Sequence, residues 1–343
     1  MLETSSVKPP EMRGECQERP QAIIVHDPVA AGAFSAFDRV ADDSQIESDL
    51  LFRARPDTAL YAAHHAILVR TVAANIGRVI YLRDLIGDDA SFAAAGSNPN
   101  QVFTRDSLIT LPWAPEVFFR ARLKPPQRQH EPETMKAAAE RLGLREAIEL
   151  PPDIVLEGGD VIPFAHKGRR CLLVGYGQRT TPEAIGFLQQ AFLPDYADEL
   201  IALRLAPWRM NLDGGFMPLA EDVFVADMSG ILGAHLVLPQ ARIAFDFWEL
   251  LGDWGVRVID TTPEESVYSQ SCNCLCLGDR RIVCYDLCPR VIAVIEQNGI
   301  EVHTVPGVEL IKGRGGPRCM TRPIYLPLDA RRETHEHRPG NIV

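Results

Sequence analysis

The sequence predicts an α/β protein built from repeated helix–strand units rather than from one doubly wound sheet. Three observations carry that expectation. An apolar-periodic helix, a break and a short β-rich run recur five times along the 343 residues, at roughly 45–70-residue spacing, the range in which repeat architectures announce themselves. In four of the five copies a glycine stands between helix and strand, where a helix C-terminus favours a residue tolerant of the left-handed conformation. No Gly-rich phosphate loop follows an early strand, so ordinary alternation in a dinucleotide-binding sheet gains no support from a cofactor motif.

The copies run in order. Residues 1–20 are polar, charged and proline-containing, and are expected to form a disordered N-terminal tail ahead of a single domain over 21–328. The first helix passes through Ala62–His65 and Leu68–Asn75, breaks at Gly77 and leads to a strand over Arg78–Leu82. The second spans Met135–Leu142, with Gly143 and a strand near Ala147–Leu150. The third spans Pro182–Phe192, with proline at the helix-start position, and a strand over Leu200–Leu205. The fourth is read as a helix over Ile243–Leu251, then Gly255 and a strand over Val256–Ile259. The fifth has a helix through Val291–Ile295, Asn298-Gly299 and a strand over Ile300–Val305. A polar tail, 329–343, follows; its His335 and His337 are expected to be solvated rather than ligating.

With 46% apolar and 24% charged residues the chain can bury a large core. A net charge of −11 and a pI near 5.3 argue against a nucleic-acid or anionic-membrane surface, since such partners demand a basic face. A small-molecule substrate is the better default, and self-association stays open. No apolar run of signal-peptide or membrane-spanning length opens the chain, which points to the cytoplasm. Eight cysteines stand at 16, 171, 272, 274, 276, 284, 288 and 319, and in such a chain a disulfide framework is not expected. Cys272, Cys274 and Cys276 alternate, as metal ligands on one strand face would. Their apolar context reads more simply as a buried strand in which cysteine acts as a small hydrophobe.

The polar chemistry collects after the strands of the repeats. The segments are Asn100-Gln-Val-Phe-Thr-Arg-Asp106, Glu157-Gly-Gly-Asp160, Asn211-Leu-Asp-Gly-Gly-Phe216 and, last, Arg314-Gly-Gly-Pro-Arg-Cys319. In the last, glycines and a proline force an irregular close approach just before a cysteine flanked by Arg314 and Arg318, and those cations are expected to favour the thiolate, the nucleophilic form. If the repeats close into a ring, these groups converge on its axis. Three carboxylates around a nucleophile then suit a planar cation with several N–H donors, such as a guanidinium.

The segments Asn100-x-x-Phe103-Thr-Arg105-Asp106, Glu157-Gly-Gly-Asp160, Leu212-Asp213-x-x-Phe216 and Arg314-Gly-Gly-Pro-Arg-Cys319-Met320 resemble, in order, those of the guanidine-modifying (pentein) superfamily, and arginine deiminases most of all. The resemblance covers about residues 75 to 327. It implies a five-bladed α/β propeller of ββαβ units around a central polar site, with no cofactor and no metal. It further implies Cys319 as the nucleophile, with Asp106, Glu157 and Asp213 holding the guanidinium, Asp160 beside them and Phe103 packing against it. Arg179 and Arg314 match arginines that grip the substrate carboxylate, and Arg128 is a further candidate for that role.

One position departs from the pattern. The family histidine stands two residues before the aspartate, where this chain has Asn211; histidine transfers protons near working pH and an amide does not. His303, on the strand before the cysteine loop, reaches the site only if it points to the axis. The expected activity is a cysteine-dependent hydrolase of amidine C–N bonds, acting on arginine or a related guanidino compound through an amidino–Cys319 intermediate. The alternatives are an amidinotransferase, in which an acceptor amine replaces water, and a guanidine-binding protein without turnover.

Overall fold

A computed structural model describes residues 12–327. They form a mixed α/β fold of five small sheets, and each sheet repeats one connection. An antiparallel strand pair is followed by a helix and a strand that returns parallel to the pair's second strand, which is the unit the fivefold pattern anticipates. In the second unit Leu108–Leu111 pairs with Ala114–Arg120, the helix Glu131–Arg141 crosses over, and Arg145–Glu146 returns. The third uses Val161–His166, Arg169–Tyr176, Pro182–Ala191 and Glu199–Leu205. The fourth uses Phe216–Pro218, Val223–Ala226, Phe247–Asp253 and Arg257–Asp260. The fifth uses Leu275–Gly278, Arg281–Tyr285, Pro289–Gln297 and Glu301–Val305. The first unit joins distant parts of the chain: Ala22–Val25 pairs with Arg322–Ile324, and Thr58–Ile76 leads to Val79–Tyr81.

The helix stops fall where glycine was expected. Gly77, Gly143, Gly255 and Gly299 all hold left-handed φ between 74° and 91°, a conformation that costs glycine little. Two expectations need correction. Ile243–Phe245 is strand, because a hairpin of Ile231–Leu238 and Ala241–Phe245 adds onto Glu199–Leu205 and makes the third sheet five-stranded. The helix starts later, where the Asp246 side chain accepts hydrogen bonds from the Trp248 and Glu249 amides and satisfies donors that a helix start leaves open. The second return strand is Arg145–Glu146, ahead of the expected 147–150.

Of the cysteine run, only Cys276 lies in a strand; Cys272 and Cys274 sit in the loop before it. All three are buried in an apolar cluster with Phe164, Phe216 and Phe224, as small hydrophobes would be. Residues 1–11 and 328–343, with His335 and His337, lie outside the described residues. The chain is already packed by Gly14, whose Cβ position is closed off by the backbone of Phe164 and Ala165 at 2.7 Å, so residues 12–20 do not continue the expected tail.

Glu15 explains that packing. Its carboxylate, 2% exposed, accepts two hydrogen bonds from Arg318, at 2.9 and 2.8 Å, and pairs with Arg105 Nη1 at 3.0 Å. Burial alone would raise its pKa, but Arg105 and Arg318 overcome burial and hold it at about 2 against an ordinary 4.5. A depressed carboxyl contributes stability that is present above about 4.5 and lost as pH falls through about 2. Glu15→Gln is therefore expected to cost about 3–5 kcal/mol, because it strands buried arginine charge. Urea unfolding at neutral pH should show that loss, and the gap between wild type and variant should close between pH 4.5 and 2. A gap unchanged across that window would refute the assignment.

Candidate active site

The loops that enter the first strand of each unit carry the polar segments: 100–107, 157–160, 211–215, 271–274 and 313–321. Four of the five line a cavity of about 250 Å³ whose wall includes Phe103, Asp106, Asn211, Asp213, Asn273 and Cys319. Close backbone approach explains the paired glycines of the last loop. A Cβ on Gly315 would stand 2.3 Å from the Phe103 ring, and one on Gly316 would stand 2.6 Å from Asn273 Cβ, well inside contact distance.

Cys319 is held from two sides. Asn273 donates Nδ2–H to Sγ at 3.1 Å and accepts the Cys319 amide at 3.0 Å on Oδ1, while Sγ–H is directed to Asp213 Oδ2 at 3.5 Å. Asp213 Oδ2 also accepts Arg318 Nη1 at 2.8 Å. Asp106 Oδ2 accepts Arg128 Nη1 at 2.8 Å, and the Arg128 guanidinium lies 5.6 Å from the Phe103 ring centre. Each of these two acids keeps a second oxygen, Asp106 Oδ1 and Asp213 Oδ1, that is buried and has no hydrogen-bond partner among the described residues. Both lie close to the same point, 2.8 and 3.3 Å from where a Cβ of Gly159 would stand. Two buried acceptors left open in one place mark a site built for a donor.

A model of the arginine deiminase family matches residues 87–325. The chain belongs to the arginine deiminase family. It is 31% identical over 255 residues to the arginine deiminase of Mycobacterium avium (strain 104) and 32% identical over 255 residues to that of Rhodococcus opacus (strain B4). Each alignment takes in 66% of this chain and 60% of the relative, so the chain spans less than two thirds of the relatives' length. Among solved structures it resembles the N-terminal domain of ArgZ, an arginine dihydrolase from cyanobacteria, with a TM-score of 0.64 and 19% identity, over 88% of this chain and 97% of that domain. A dimethylarginine dimethylaminohydrolase is similar at a TM-score of 0.58 and 18% identity, over 89% and 99%. These two likenesses are likenesses of fold.

In this arginine deiminase family member the expected residues separate into three groups. Cys319, Asp106, Asp213, Asn211 and Phe103 meet at the cavity wall. Glu157 and Asp160 are fully buried and stand behind Asn211, whose Nδ2 donates to Glu157 Oε2 at 3.1 Å and to Asp160 Oδ2 at 3.0 Å. Glu157 thus reaches the cavity through Asn211 rather than directly. Burial, with Glu157's charge adding to it, pushes the Asp160 carboxyl up to about 8 even though Thr180, Leu212 and Asn211 hydrogen-bond it. Arg179, Arg314 and Arg128 all face the cavity, and each already has an acid: Glu157 at 3.3 Å, Glu47, and Asp106 with Glu131.

One expectation about the cysteine loop is overturned, and the condition set for His303 is not met. Arg314 and Arg318 do not lower the Cys319 thiol: Arg318 turns away to Glu15 and Asp213, and Arg314 pairs with Glu47. Burial first, then the charges of Asp213 and Asp106, push that thiol well above its ordinary value. His303 pairs with Glu301 at 3.1 Å on its own strand and is absent from the cavity wall, so it is not the missing base.

The sequence reading missed Asn273. Its signal was positional, because the fourth repeat should also place a polar residue after its strand and Ser271-Cys272-Asn273 does so. Removing an N–H donor from a sulfur anion should cost what a hydrogen bond to a charged group is worth, about 1.5–3 kcal/mol. Asn273→Ala is accordingly expected to slow alkylation of Cys319 by about 10- to 100-fold and to raise the pH at which alkylation sets in. An unchanged alkylation profile would show that Asn273 only packs.

Proposed function

We propose that this protein is a guanidino-group hydrolase that works through a covalent amidino–Cys319 intermediate, on arginine or a related guanidino compound. The observation that carries the reading is the pair of buried, unpartnered oxygens, Asp106 Oδ1 and Asp213 Oδ1, close to one point on acids that line the same cavity as Cys319. A guanidinium supplies two N–H donors and one positive charge to that point, which satisfies both acceptors. Its charge also opposes the two acids that keep the thiol protonated in the empty site. Substrate binding therefore favours the thiolate, a task the flanking arginines do not perform.

Asp213 Oδ2, at 3.5 Å, is placed to take the thiol proton; burial, with the Asp106 charge, raises its own carboxyl and makes it a better proton carrier. Sulfur then attacks the guanidinium carbon and Asn273 steadies it. The bond from that carbon to the departing nitrogen breaks, and the amine leaves with a proton. Water adds to the same carbon, the C–S bond breaks, and Cys319 is regenerated with a ureido product. The net balance is guanidinium plus water to urea plus ammonium. One variant of the related ArgZ domain is covalently bound to a reaction intermediate, which agrees with this course.

We read the five sheets as the blades of a five-bladed α/β propeller around the cavity, forming one catalytic domain that corresponds to the expected 21–328 and starts early enough to include Glu15. Support comes from four of the five strand-entry loops meeting at one wall, with the fifth directly behind it. Eight unpaired cysteines and the absence of a helix long and apolar enough to cross a membrane, among the described residues, suit the cytoplasm. Asn211 supports a second reading, transfer of the amidino group to an acceptor amine, because an amide cannot activate water. Incubation with a panel of guanidines, with mass spectrometry of products and of the intact protein, tests both. A ureido product indicates hydrolysis and a new guanidine indicates transfer; no product and no adduct on Cys319 with any guanidine would overturn the proposal.

A further inference from the structure

We infer that Arg53 is the anion anchor of this site and that its substrate is a guanidino acid without an ammonium group beside the carboxylate; this rests on the guanidine reading above. Five arginines face the cavity. Four of them have acids: Arg128 with Asp106 and Glu131, Arg179 with Glu157, Arg209 with Asp227 at 2.7 Å, and Arg314 with Glu47. Arg53 makes no ion pair with any described residue. Its Nη2 donates to the Val267 carbonyl at 2.7 Å, and its guanidinium lies 4.8 Å from the Tyr268 ring centre. These contacts orient the group without neutralising it.

The two ends of the cavity are therefore unlike. Tyr268 is 65% exposed, so Arg53 stands at the mouth, whereas the open oxygens of Asp106 and Asp213 are fully buried. Burial first, and then the nearby charge of Arg314, disfavour the Arg53 cation and outweigh Tyr268 and Glu47, which favour it, and an arriving carboxylate relieves both. A ligand with a guanidinium at one end and a carboxylate at the other matches both imbalances. An ammonium beside that carboxylate finds no open acid, because the acids of the cavity wall are Asp106 and Asp213 alone, committed to Arg128 and to Arg318 with Cys319, and Glu47 at the mouth is paired with Arg314. Arginine is then disfavoured relative to the same molecule without its amino group, and a guanidino amine is disfavoured more.

The test uses the full chain carrying Cys319→Ala, so that binding is read without turnover, and titrates 4-guanidinobutyrate, L-arginine and agmatine by calorimetry. The guanidino acid is expected to bind about 10- to 100-fold more tightly than agmatine, the worth of a charge-assisted pair, with arginine between them. Adding Arg53→Gln should collapse the preference for the acid over agmatine, and adding Arg53→Lys should retain part of it. Equal binding of the three ligands, or a preference that survives Arg53→Gln in a protein of unchanged melting temperature, would overturn this inference alone. Failure of all three to bind, together with no adduct on wild-type Cys319 with any guanidine, would overturn the guanidine reading and this inference with it.

Discussion

Cys319→Ala is expected to abolish turnover of every guanidino substrate, by about 10⁴-fold or more, as loss of a covalent nucleophile does where no neighbour replaces it. The surroundings leave no substitute. Cys272, Cys274 and Cys276 are buried in the apolar cluster, and burial pushes the Cys272 thiol up to about 11. Asn273 offers an amide, and Asp106 and Asp213 are committed to Arg128 and Arg318. The substitution should leave folding intact, since Sγ is held by a donor and an acceptor that can turn to each other or to water. Product formation and the intact mass are the readouts. Retained turnover, or an adduct mapped to any other cysteine, would remove Cys319 from the mechanism.

The second large effect is expected in the opposite direction. Asn211→His should accelerate release of the amidino group from Cys319 by about 10²–10⁴-fold, the usual worth of general acid–base catalysis. Asn211 already lies between two carboxylates, Glu157 Oε2 at 3.1 Å and Asp160 Oδ2 at 3.0 Å. An imidazole in that place would be oriented by the same pair, and could give a proton to the leaving amine and take one from water. In the native chain the amide spends its N–H groups on those acids and transfers no proton, so capture on Cys319 should outrun hydrolysis. Time-resolved intact mass spectra of both proteins compare the two steps. Fast ureido release by the native protein with no adduct, and no gain in the variant, would show that asparagine belongs to a different working mechanism.

Much of the architecture was legible because it is local. A glycine between helix and strand, a proline opening a helix and an apolar period are properties of adjacent residues, and they indicated a helix in each of the five units and the return strand of every unit but the second, which lies earlier, at Arg145–Glu146. The failure at Ile243–Phe245 has the same origin. Its apolar residues are parted from those of the helix by Asp246 alone, and pairing with Ile231–Leu238 makes them strand. The polar loops were legible in order, and the order led to Cys319, Asp106, Asp213 and Asn211. The partners of their charges were not. Arg318 is next to Cys319 in the chain, yet its guanidinium is bound by Glu15, 303 residues away.

The sequence by itself determined the fivefold unit, the loop that carries each polar group, the family resemblance and the substitution of asparagine for the family histidine. Tertiary structure alone decided which charges remain open. It turned Arg318 from the sulfur toward Glu15 and Asp213, set Glu157 behind Asn211, brought Asn273 against Cys319 and left Arg53 without an ion pair among the described residues. The reason is that ion pairing and desolvation depend on distances and burial between residues far apart in the chain, and no local pattern encodes which of many arginines meets which carboxylate.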